Sequence, residues 1–300
     1  MKQAILLILF NRKDKTKKLL DAVLKSNPEK LYVACDGPRT KDEKEKVDGV
    51  RNLIEDVGYN GALYKRYQKS NLGCALHVSS AISWFFENEE SGIILEDDCI
   101  PSVEFFHFME KMLPRYRNDN RVGLVSGMPL FDLKSMREFN NSDSYIYSNF
   151  PNIWGWGTWR EFWSSYDLKP EINKTSEAII KSKFKNPWLA RVSVDLIKRA
   201  SLGEIDTWDY QVSYLLWTTN RLVVLPKENL VSNIGFGSDA THTKREFKLL
   251  GANVSAKKSE NDVFESPVFM SNNQEFERLL SKRAFIKWAR MVFSRFLKYV

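Results

Sequence analysis

Ser91-Gly92-Ile93-Ile94-Leu95-Glu96-Asp97-Asp98-Cys99-Ile100-Pro101 is the stretch on which the reading of the fold turns. Three apolar residues run directly into three carboxylates. A short apolar run after a glycine predicts a buried strand, most simply the centre of a parallel sheet. Carboxylates at the C-terminal end of such a strand fall where open α/β sheets bind ligands. Three adjacent acids repel one another, and a divalent metal is the natural counter-charge. Oxygen ligands favour Mg2+ or Mn2+ over zinc. The same residues also read as a solvated acidic turn ahead of a helix beginning near Ser102, whose N-terminus accommodates negative charge.

Working upstream, Ala4–Phe10, Leu31–Ala34 and Ala62–Arg66 are strand-like. Helical periodicity covers Lys13–Lys25, Lys41–Val57 and Cys74–Phe86, the last following a break at Asn71-Leu72-Gly73. With Gly92–Leu95 this makes β-α-β-α-β-α-β, a doubly wound pattern of the kind that binds nucleotides. Neither GxGxxG nor a Walker A lysine is present. Two of the strands end in acids, at Asp36 and at Glu96–Asp98.

Downstream, helices are predicted over Phe105–Tyr116, Trp188–Ala200 and Thr207–Thr219, and strands over Val122–Ser126, Tyr145–Tyr147 and Leu222–Leu225. Phe131–Ser144 reads as a loop, and Phe247–Asn273 has no clear period. Asn152-Ile153-Trp154-Gly155-Trp156-Gly157-Thr158-Trp159 packs three Trp and two Gly into eight residues. Glycines let a backbone approach a ligand, and Trp faces stack on sugar rings and bases; a hydrophobic wedge closing the core is the plainer reading. Asn229–Thr243 is a Gly- and Ser-bearing loop able to fold over an anion through its backbone N–H groups, or a surface loop without that role.

The chain has 300 residues, 43% hydrophobic and 28% charged, a balance ordinary for a globular protein. Its net charge of +7 favours an anionic partner. Three widely spaced cysteines, Cys35, Cys74 and Cys99, with no CxxC, argue for a reducing compartment and against a zinc site. The apolar run at the N-terminus ends at Asn11-Arg12-Lys13 without a cleavage signal and reads as a strand. No stretch reaches the roughly 18 apolar residues of a transmembrane helix.

Four features therefore occur in one order: Asp36 after the second strand, a strand ending in Glu96-Asp97-Asp98, the Gly/Trp segment, and Trp208-Asp209 followed by a loop holding Ser238 and His242. This order resembles the GT-A glycosyltransferases, in particular the N-acetylglucosaminyltransferase I group and related bacterial surface-polysaccharide enzymes. The helix start Pro101-Ser102-Val103-Glu104-Phe105-Phe106 belongs to the same resemblance. It implies an α/β doubly wound mixed sheet flanked by helices, and an inverting, metal-dependent transferase using a nucleotide-sugar donor, most simply a UDP-sugar, with a glycan or polyprenyl-linked acceptor. Residue by residue it implies that Asp98 binds the metal, Asp97 the ribose, Glu96 the transferred sugar, Asp36 the nucleobase and Arg12 the phosphates. Asp209 takes the position of the catalytic base, with Asp206 as its rival, because the family carries two adjacent acids where this chain has Trp208-Asp209-Tyr210. Ser238 and His242 would lie over the donor, and Trp154, Trp156 and Trp208 would form an acceptor platform; His77, on the helix after Asn71-Leu72-Gly73, reads as a nucleotide contact near the base or as a core residue.

The expected organisation is a catalytic domain over 1–250, with a donor half to about 128 and an acceptor half beyond it, then a tail over 251–300. Inverting transfer needs one carboxylate to take the acceptor proton and a cation to neutralise the leaving diphosphate. That suits a chain with three histidines, of which His107, among Phe105, Phe106 and Phe108, is structural. Lys282–Val300 carries six Lys or Arg and no acid, with apolar residues at helical spacing, the pattern of a helix lying on an anionic membrane surface or packed on the domain. Without the membrane anchor and stem of the Golgi enzymes, a cytoplasmic protein touching the inner face of the membrane is expected. A nucleotidyltransferase of similar fold is disfavoured by the missing Gly-rich loop after the first strand. A basic module binding RNA or a membrane without catalysis is disfavoured by the convergent acids, and no nucleic-acid partner is expected.

Overall fold

The computed structural model describes residues 2–129, 143–235 and 264–284. Ser238, His242 and most of the basic tail lie outside the described residues. The chain forms β1 (Ala4–Leu9), α1 (Lys13–Lys25), β2 (Lys30–Cys35), α2 (Lys41–Glu55), β3 (Ala62–Tyr67), α3 (Cys74–Asn88), β4 (Ser91–Glu96), β5 (Cys99–Pro101), α4 (Val103–Tyr116) and β6 (Val122–Ser126). It continues with β7 (Tyr145–Ser148), β8 (Trp156–Trp159), α5 (Arg160–Trp163), α6 (Lys174–Ser182), α7 (Pro187–Ser201), α8 (Asp209–Thr218), β9 (Leu222–Pro226) and β10 (Val231–Asn233). Residues 274–284 are helical.

Eight strands form one mixed sheet in the order β3-β2-β1-β4-β8-β6-β9-β7. β1 to β4 pair in parallel, as expected. On its other edge β4 pairs antiparallel with β8 through Ile93 and Gly157, so the apolar strand lies where the parallel half meets the mixed half rather than at the centre of an all-parallel sheet. β8 also pairs antiparallel with β6, β6 with β9 in parallel, and β9 with β7 antiparallel. β5 and β10 form a separate two-stranded ribbon.

Alternation along the strands explains the continuous apolar runs. Leu6, Ile8 and Ile94 face one core layer, while Ile5, Leu7, Ile93 and Leu95 face the other. Val78, Ile82 and Phe85 of α3, Val194 and Ile197 of α7 and Val212 and Leu216 of α8 fill the first layer. Leu19 and Val23 of α1, Val47 and Ile54 of α2 and Phe105 and Met109 of α4 fill the second. A sheet covered on both faces must be apolar on both.

Two sequence expectations are corrected here. The Gly/Trp segment is largely a strand: Trp156 is 1% exposed and stacks on Trp208, 2% exposed, with ring centroids 5.8 Å apart. Both rings belong to the core, which removes them from any open acceptor platform and leaves Trp154. The boundary at residue 250 also fails as a division of the fold. Phe276 is fully buried in the first core layer, and Glu277 accepts hydrogen bonds from the Asn149 backbone N–H and side chain at 2.8 and 3.0 Å. Among the described residues no helix is long and apolar enough to cross a membrane.

Candidate active site

A cleft of about 270 Å³ opens at the C-terminal ends of β1 and β4. Its walls bring together Arg12, Asp36, His77, Glu96, Asp97, Asp98, Trp154 and Asp206, all singled out from sequence. Arg39, Asn71, Cys74 and Asn233 join them without having been anticipated.

The acid triplet sits where β4 ends and the chain turns into β5. Arg12, at the junction of β1 and α1, grips it. Its Nε donates to Asp97 Oδ2 at 3.0 Å, a terminal nitrogen donates to Asp97 Oδ1, and Nη1 lies 3.0 Å from Asp98 Oδ2. Burial pushes the Asp97 carboxyl up to about 6, against the pull of Arg12. Glu96 is pushed up to about 8, first by burial and then by Asp98, Asp97 and Asp209. Four carboxylates thus act on one another with Arg12 in contact and Lys15 further out, which leaves the cluster short of positive charge. Gly235 seals its edge: a Cβ there would come within 2.3 Å of Asp98 Oδ2.

Asp36 builds the neighbouring wall. It is 4% exposed and accepts from the backbone N–H groups of Gly37 (2.8 Å) and Leu72 (3.0 Å) and from Asn71 Nδ2 (2.8 Å). These bonds clamp the Asn71-Leu72-Gly73 break against the end of β2. His77 of α3 lines the same corner with its Nδ1 3.9 Å from Asp36 Oδ1. The ring is 5% exposed, yet neither nitrogen makes a well-formed hydrogen bond. Burial lowers its pKa, with Asp36 opposing, so the imidazole is held neutral. Its polar neighbours are the Asp36 carboxylate and the backbone of Leu9 and Ala34.

Two rival acids, three residues apart, have different surroundings. Asp206 accepts from the backbone N–H groups of Cys74 and Ala75 at 2.9 and 2.8 Å, so both its oxygens serve the N-terminus of α3. Gly73, at φ +82°, makes that approach possible; a Cβ on it would lie 3.0 Å from Asp206 Oδ2. Asp209 opens α8 and accepts from the Thr207 hydroxyl through Oδ1. It does not line the cleft described above, but its charge reaches Glu96.

Among the described residues, no group of three or more His, Cys, Asp or Glu side chains is arranged to hold a metal ion. A hard cation would have Asp98 as its protein ligand and would need further oxygens from a bound anion. The shortage of positive charge around the triplet fits such an ion.

No protein-family model matches this sequence, and no curated protein does. Solved structures similar in part include HddC from Yersinia pseudotuberculosis (13% identity over 38% of this chain and 55% of that one, TM-score 0.28). The glycosyltransferase GlyE of Streptococcus pneumoniae TIGR4 aligns at 11% identity over 74% of this chain and 45% of that one, with a TM-score of 0.35. Apo mouse xyloside xylosyltransferase 1 aligns at 10% identity over 72% and 81%, with a TM-score of 0.31. The chain spans about half the length of the first two. Similarities this loose carry no argument about the present chain.

Proposed function

We propose that the chain is an inverting glycosyltransferase that takes a sugar from a nucleotide-diphosphate donor, most simply a UDP-sugar. The observation that carries this reading is the acid triplet at the end of β4, set in one cleft with Arg12 and the buried ring of His77. One part wants a cation and a polyanion, and the other wants a flat polar ring. A nucleoside diphosphate supplies both.

In this reading His77 and the Asp36 corner receive the base, and Arg12 turns from Asp97 and Asp98 toward the diphosphate. Glu96 hydrogen-bonds a hydroxyl of the transferred sugar. Trp154 offers that sugar an apolar face. Mn2+ or Mg2+ on Asp98, when bound, neutralises the leaving diphosphate. The acceptor oxygen forms the new bond to the anomeric carbon while the bond to the β-phosphate oxygen breaks. The nucleoside diphosphate leaves with that electron pair, and Asp209 takes the acceptor proton, its orientation set by Thr207. Ser238 and His242 are proposed to close over the donor. The acceptor is a glycan or polyprenyl-linked sugar of surface-polysaccharide synthesis, reached from the cytoplasmic face of a membrane that Lys282–Val300 touches.

A thermal-shift screen of UDP-, GDP-, CDP- and dTDP-sugars with and without Mn2+ tests the proposal. One donor at 100 times its Kd stabilises the fold by about 2.7 kcal/mol, in a Mn2+-dependent way. Turnover then releases nucleoside diphosphate. With pyrophosphate added, formation of a nucleoside triphosphate and a sugar 1-phosphate instead would identify a nucleotidyltransferase, and no response to any sugar nucleotide would overturn the reading.

A further inference from the structure

A second cavity lies at the other end of the sheet. It measures about 480 Å³ and is walled by the start of β6 (Arg121), the end of β7 (Asn149), the α6–α7 turn (Lys183, Phe184, Lys185) and residues 270–277. β1, β4, β6 and β9 all run the same way, so this is the N-terminal end of the strands whose C-terminal ends hold the cleft.

The cavity is polar and basic. Lys183 donates to Asn220 Oδ1, and burial lowers its pKa. Lys185 is exposed at the rim. Arg121 is paired with Asp119. The one acid in the wall, Glu277, has its oxygens engaged by Asn149 and by Asn272 Nδ2 at 2.6 Å, and burial raises its pKa. Directly before the lining residue Met270, Val268 and Phe269 stand 87% and 77% exposed. The helix that starts on the cavity wall leads to exposed Arg278, Lys282 and Arg283.

We infer that this face is a membrane-docking site: the cavity receives the phosphate of an anionic phospholipid headgroup, and Val268 and Phe269 enter the headgroup region beside it. Cations next to exposed apolar side chains match the two layers of a leaflet surface, anionic outside and apolar beneath. An acidic glycan would answer the charge but leave Val268 and Phe269 in water. The site is independent of the donor cleft, and it adds to the basic tail a contact made by the folded domain.

Vesicle co-sedimentation of the full chain decides this, with phosphatidylcholine alone compared against a 7:3 mixture with phosphatidylglycerol. The tail is intact in every variant, so any loss belongs to this face. Lys183→Gln with Lys185→Gln should weaken binding to the mixed vesicles about 30-fold, roughly a factor of five per lysine at an anionic surface. Phe269→Ser, on an exposed side chain that the fold does not need, should weaken it about tenfold. Both variants should keep the parent's melting temperature and donor response. Parent-like pelleting of Phe269→Ser and of a folded double variant overturns the inference. So does binding of a soluble acidic glycan or glycerol phosphate without binding of vesicles.

Discussion

At one end of the sheet Asp36 and Glu96–Asp98 belong to strand ends and the turns directly attached to them, with Arg12 beside the last two. At the other end Arg121, Lys183 and Lys185 come from turns around strand starts and between helices. Residues at strand ends inherit fixed Cα positions from the ladder, which suits chemistry that needs groups placed within a fraction of an ångström. Cations spread around a cavity suit a partner that is charged but not shaped. The acid end is also electrostatically unfinished, with Glu96 pushed up to about 8, whereas the single acid at the basic end is satisfied by amides.

The comparison breaks most sharply at Asp98. Asp98→Ala should reduce transfer to background while the melting temperature holds or rises, since a mutually repelling charge is lost; EDTA should reproduce the loss in the parent. Turnover near the parent's in the variant would remove the metal role. Next comes the pair of acids that flank Thr207. Asp209→Asn should lower kcat about 10²–10⁴-fold with donor affinity little changed. Asp206→Ala should leave chemistry largely intact and cost about 1–2 kcal/mol of stability, because α3 loses its terminal acceptor. If Asp206→Ala proves the more severe in kcat, the two roles are exchanged.

The tryptophans sharpen the distinction between core and cleft. Trp156→Ala should cost about 3–5 kcal/mol in urea unfolding, and Trp154→Ala a fraction of that with its main effect on KM. The smallest effect is expected at His77. Its pKa is lowered in the fold, so below the unfolded value near 6.5 the unfolded chain takes up a proton that the folded chain resists. Stability should therefore fall as pH drops through 6.5, with a slope of up to about 1.4 kcal/mol per pH unit from this group. Unfolding curves of parent and His77→Gln at pH 7.5 and 5.5 isolate the contribution, and equal slopes would refute it.

The parallel half of the fold was legible because each unit states its period locally: α1 carries Leu19, Leu20 and Val23 on one face, and β4 runs unbroken from Ile93 to Leu95. In the mixed half β6, β7, β9, α7 and α8 were legible in the same way, but β8 and the short elements were not. Trp156–Trp159 has the composition of a ligand wall, and only its pairing with β4 and β6 makes it a strand. α6 and the ribbon strands β5 and β10 are short elements defined by distant partners. At the site, acids at strand ends could be found from sequence because position alone marks them. Asn233, Arg39 and the occupation of Asp206 by α3 could not, since each depends on a contact between segments far apart in the chain.

The bonds from Cys74 and Ala75 to Asp206 span about 130 positions in sequence. Closing a loop of that length must precede any gain from the contact, and contacts so remote tend to form late on the way to the native state. The β1–β4 sheet, made from neighbouring units, can assemble before that closure; Asp209 reaches Glu96 only after it. A partly folded chain would then hold the acid triplet without Asp209 beside it. Substitutions at Asp206 would speed unfolding far more than they slow folding, and chevron kinetics of Asp206→Ala would read the order of assembly directly.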